Sequence, residues 1–70
     1  MTIKVTVVLK SGQENELVIP NTTLYQQEQI YRALWDPETK STNLVHRSQG
    51  RTVFIPKENI ATIILTEVAQ

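Results

Sequence analysis

Three features of the sequence predict an α+β fold that is mostly β, with five strands and one helix in the order β-β-α-β-β-β on a curled or barrel-like sheet. Residues 2–10 alternate apolar with polar, residues 24–35 repeat their apolar positions at helical offsets, and the closing run RTVFIPKENIATIIL returns to extended, strongly apolar chain. A chain of 70 residues forms one small domain, residues 1–70, with a thin stability margin. It has no cysteine and one histidine, so neither a disulfide nor a metal is expected to staple the core, and self-association remains as the source of added stability.

The elements follow in order. Ile3, Val5, Val7 and Leu9 point one way and Thr2, Lys4, Thr6 and Lys10 the other, with Val8 as the exception, so the first strand is half-buried. A turn over 11–13, centred on Gly12, leads into a second strand with Leu17 and Ile19 inward and Glu14 and Glu16 outward, and Pro20 ends it. Leu24, Ile30, Tyr31, Leu34 and Trp35 then form the apolar stripe of a helix, with Gln26, Gln29 and Arg32 opposite. Thr23 and Gln26 fit a capping box, Asn21 and Thr22 being alternative caps, and Asp36-Pro37 stops the helix because proline disfavours helical backbone at the residue before it. PETKSTN is a polar loop, NLVHR a short strand, SQG a turn, and RTVFIP a strand with Val53 and Ile55 on one face and Phe54 on the other. After a tight connection over 56–59 comes IATIILTEV, read with Ile63 and Leu65 on one side and Ile60 and Ile64 on the other. A strand apolar on both faces needs two partners, so Ile60 and Ile64 are expected to meet the helix or another copy of the chain.

The strand and turn order in VTVVLKSGQE and TVFIPKENIATIIL, about a third of the chain, resembles that of SH3-like and Sm-like barrels, in which a short helical turn links the fourth and fifth strands. The resemblance implies a small barrel and ring-like or dimeric assembly. It does not extend to the RNA site of Sm-like proteins: the region after the second strand is a helix here, and the later turn reads Pro56-Lys57, so no RNA-contacting residue carries over. Short, charge-balanced chains of this kind also resemble accessory proteins of phages and other bacterial mobile elements.

Seven basic residues balance seven acidic ones, which removes any net attraction to nucleic acid or an anionic membrane. There is no secretion-signal pattern and no membrane-length apolar run, so a soluble cytoplasmic protein without membrane contact is expected. His46 is the one side chain titrating near neutrality, yet Ser11, Ser41 and Ser48 lie in no nucleophile context, and His46 reads as a surface strand histidine. Ligand spacing for zinc or calcium is absent, and Gly12 and Gly50 are isolated turn glycines rather than a phosphate loop, so no cofactor is expected.

Two surfaces remain. His46, Arg47, Arg51 and Lys57 concentrate positive charge around the second hairpin, where paired arginines would suit phosphate, or else would keep a strand edge from aggregating. Tyr31, Arg32 and Trp35 are residue types that anchor protein interfaces, and Trp35 equally suits a place closing the core. The sequence therefore reads as a non-enzymatic, self-associating module that recognises another protein. The alternatives are a nucleic-acid-binding oligomer that uses the basic hairpin, and a small ligand held at subunit boundaries.

Overall fold

The computed structural model describes residues 1–40, 42–48 and 50–68. The order of elements is β1 (Thr2–Leu9), β2 (Glu14–Ile19), α1 (Leu24–Leu34), β3 (Asn43–Ser48), β4 (Arg51–Pro56), a 3-10 turn (Lys57–Asn59) and β5 (Ile60–Val68). The fold is α+β and mostly β, as the alternation and the single helical stripe predict. Of the loop and turn residues named above, Ser41 and Gln49 lie outside the described residues.

The five strands form two antiparallel sheets, β2-β1-β5 and β3-β4, with no hydrogen-bonded ladder between them among the described residues. The closed barrel that the resemblance implies is therefore not formed, and the curled-sheet alternative describes the chain. Residues directly opposite in an antiparallel pair point to the same face. Val5 lies between Leu17 and Leu65, and Val7 between Asn15 and Ile63, which defines the inner face of the larger sheet. On the hairpin, Leu44 faces Ile55 and His46 faces Val53, which defines its inner face.

The core lies where these two faces meet α1. Ile3, Val5 and Val7 are fully buried on the central strand, with Tyr31 and Leu34 from the helix, Leu44 and Ile55 from the hairpin, and Ile60 from β5 packed around them. Burying each such aliphatic side chain contributes about 1.5–3 kcal/mol, and β1 carries the densest share because it has a neighbour on either side.

The helix is capped as its sequence suggests. The Gln26 amide donates to the Thr23 hydroxyl oxygen at 3.1 Å, and Thr22 ties the entry of the helix to the first strand by donating its amide to the Met1 carbonyl at 2.9 Å. Of the expected stripe, Tyr31 and Leu34 are buried and Leu24 packs partly buried against the core, whereas Ile30 and Trp35 are exposed and Gln27 takes an inward place instead. Gln27 is tolerated there since its side-chain amide donates to the Thr22 hydroxyl at 2.9 Å.

A β-bulge corrects the expected facing of the last strand. The β1-β5 register steps from Val8 opposite Thr62 to Leu9 opposite Ile60, leaving Ala61 as the extra residue. Ile60 is thereby brought to the core side with Ile63 and Leu65, and Ile64 alone of the expected pair stays on the outer face, 47% exposed.

Candidate functional site

The larger sheet leaves two strand edges, and each borders an opening. The first opening, about 330 Å³, runs beside β2 and is lined by Asn15, Glu16, Leu17, Val18, His46, Arg51 and Val53. Consecutive residues from both faces of β2 line it, so it follows the strand's outer edge where the sheet fails to join the hairpin. At its floor His46 is only 5% exposed, which corrects the expectation of a surface histidine.

His46 is held from both sides. Its Nδ1 lies 3.2 Å from the Asn15 amide oxygen and its Nε2 lies 3.1 Å from the Tyr31 hydroxyl. An amide oxygen can only accept, so Nδ1 carries the proton and Nε2 accepts from Tyr31. The rings of Tyr31 and His46 meet edge to face at 6.2 Å between centroids and 86° between planes. Burial lowers the His46 pKa and raises that of Tyr31, so both are neutral near pH 7. One histidine thus joins β2, β3 and α1, which otherwise share no backbone ladder, and both of its ring nitrogens are engaged inside the fold.

The second opening, about 500 Å³, runs beside β5 and is lined by Glu28, Tyr31, Arg32 and Trp35 from α1 and by Ala61, Thr62, Ile63 and Leu65. Thr62 belongs to the outer face and Ile63 and Leu65 to the inner face, so this groove also follows a strand edge. Its walls are apolar and aromatic, with the Glu28–Arg32 ion pair at the rim. Trp35, the C-terminal cap of α1, stands 48% exposed at its end. The edge is lightly guarded: among the described residues no strand pairs with it, and of its nine residues only Glu67 is charged and none is proline.

The expected basic cluster is dispersed. Arg51 shares the inner face of the hairpin with Val53 and lines the first opening, whereas Arg47 lies on the outer face opposite Thr52. Lys57 turns away from both and donates its ammonium to the Leu34 carbonyl at 3.0 Å, satisfying one of the free carbonyls at the C-terminus of α1. Of the residues the sequence singles out, the structure brings Tyr31, Arg32 and Trp35 to the groove and leaves Arg47 apart. Ala61, Thr62, Ile63 and Leu65, the other wall, are found only once the strand's edge is known to be free.

Among the described residues no group of three or more His, Asp or Glu is placed to hold a metal ion, and no helix is long and apolar enough to cross a membrane. Comparison with models of protein families, with curated protein sequences and with solved structures finds no match for this chain.

Proposed function

We propose that the protein is a non-catalytic binding module that recognises another polypeptide by adding an extended segment of it to the free edge of β5. The observation that carries this reading is the groove itself: a largely apolar strand edge whose residues, from both pleat faces, line an opening walled by Tyr31 and Trp35. A strand laid along β5 gains main-chain hydrogen bonds from the edge, and its alternate side chains enter the groove. Trp35 and Tyr31 supply large apolar area with a polar tip, the combination that concentrates binding energy in interfaces. The Glu28–Arg32 pair at the rim adds orientation more than affinity.

The test uses a short soluble peptide of alternating valine and threonine with lysine at each end. It is expected to slow hydrogen exchange of outward amides in β5 and to shift the fluorescence of Trp35, the only tryptophan. Ala61 is exposed on the groove wall, so Ala61→Lys should keep the fold and abolish both effects by placing a charge on the edge. In protein dilute enough to be monomeric, exchange in β5 that is unchanged by the peptide, or protected equally in Ala61→Lys, would count against strand addition.

A further inference from the structure

Resting on the reading of β5 as a strand-capturing edge, we infer that its partner is the β5 of a second copy, paired antiparallel about a two-fold axis that passes at Ile64. The strand reads IATIILTEV, and it is nearly the same when reversed in residue type. With the axis at Ile64, that residue meets itself, Ile63 meets Leu65 of the second copy, and Thr62 meets Thr66. Every one of these central pairs joins like with like, β-branched or aliphatic to the same, which are the cross-strand pairs that stabilise antiparallel sheets.

Charge agrees with this register. The strand's one ionised residue is Glu67, and in the paired arrangement it stands opposite Ala61 of the second copy, so no like charges oppose each other. Ala61 shares the groove wall with Arg32, which brings a guanidinium to the side from which Glu67 of the second copy arrives. Moving the axis to residue 65 sets Thr66 against Ile64, and moving it to residue 63 sets Thr66 against Ile60, so either move loses the match along the strand.

Both faces of the strand benefit. On the inner face, Ile63 and Leu65 of each copy extend the apolar wall toward Tyr31 and Trp35 of the other, filling the groove from both sides. On the outer face Ile64, 47% exposed in one copy, is covered by its own symmetry mate. The result is a continuous antiparallel sheet across an isologous interface, in which both copies bury the same patch and the edge is used up. A small chain without disulfides gains core in this way.

The experiment is absolute mass by light scattering on a sizing column over a range of concentration. Wild type should run at twice the mass of its 8.0 kDa chain. Ile64→Lys and Ile64→Glu place like charges directly opposite at the axis and should each weaken association about tenfold or more, and mixing them one to one should restore a dimer. That rescue is specific to an axis at residue 64. A wild type that stays monomeric, forms a larger ring, or remains dimeric as Ile64→Lys would overturn the inference. Should a monomer still bind the valine-threonine peptide along β5, only the identity of the partner fails; if it binds neither, strand addition fails with it.

Discussion

The two edges of the β2-β1-β5 sheet are built from the same backbone groups and finished in opposite ways. The β2 edge carries Glu14 and Glu16, the latter 3.9 Å from Lys4, and opens on a polar cleft floored by the Asn15–His46–Tyr31 chain of hydrogen bonds. The β5 edge carries Ile63, Ile64 and Leu65 and opens on an apolar groove walled by an aromatic helix face. A sheet edge that must stay single is kept so by charge, and a sheet edge meant to be covered is left apolar. Length sharpens the contrast, since β2 offers six residues and β5 nine.

The largest effect is expected on the β2 side, from His46→Ala. The substitution deletes the link between the sheet, the hairpin and the helix, and it leaves the Tyr31 hydroxyl and the Asn15 amide without their partner. The orphaned Tyr31 hydroxyl is buried and costs about 1–3 kcal/mol, and the half-buried Asn15 amide adds less because water in the cleft can reach it, so a loss of about 2–3 kcal/mol is expected in urea unfolding. Ile64→Lys, on an exposed site at the other edge, should change the stability of the monomer by less than about 0.5 kcal/mol. Equal losses from the two substitutions would erase the distinction between a bridge and a docking edge.

The same bridge predicts a pH dependence. Burial lowers the His46 pKa in the folded state, so below its ordinary value of about 6.5 the unfolded chain binds a proton that the native chain refuses. Stability is therefore full above that value and falls as pH drops toward the lowered folded pKa. Glu16 and Arg51 line the same cleft with opposite charges, so neither alone sets the sign. Urea midpoints measured across this window should slope in wild type and lose the slope in His46→Gln; the same slope in both would remove His46 as its source.

Exchanging the finish of the edges is the next smaller effect. A Glu14→Thr and Glu16→Val variant gives β2 the more apolar character of β5, and association should rise about tenfold, through species larger than a dimer. Light scattering that shows no new species would mean that the cleft and not the glutamates keeps β2 single.

Much of this contrast was legible in the sequence, and the remainder fails for identifiable reasons. Alternation in β1 and β2, the stop at Asp36-Pro37 and the apolar β5 follow from local pattern, because backbone periodicity and proline geometry are local. The facing of Ile60 was not legible, since period-two counting cannot register the extra residue at Ala61. His46 reads as exposed by composition and is buried because Asn15, 31 residues away in sequence, supplies an acceptor. Arg47 and Arg51 appear as one basic cluster in sequence, yet hairpin parity sends them to opposite faces. Of the groove, the aromatic wall was singled out by residue type, while the strand wall depended on knowing which strand ends the sheet.

The smallest expected effect concerns how the groove is held open. Lys57 follows β4 directly, and its ammonium reaches the Leu34 carbonyl, so the linker between the hairpin and β5 pins the C-terminal end of the helix that forms the groove's aromatic wall. A cation at that end also opposes the negative end of the helix dipole. Lys57→Met keeps the apolar stem and removes both terms, with an expected loss of about 1 kcal/mol. Most of the change should appear at Trp35, the next residue after Leu34, as greater solvent quenching of its fluorescence, while exchange in β1 stays slow. Association through β5 should weaken only in proportion to the disorder of that wall. A variant that loses stability throughout β1 and β2 without a change at Trp35 would place Lys57 in the core's support, and the groove would then owe its shape to packing of Tyr31 and Leu34 alone.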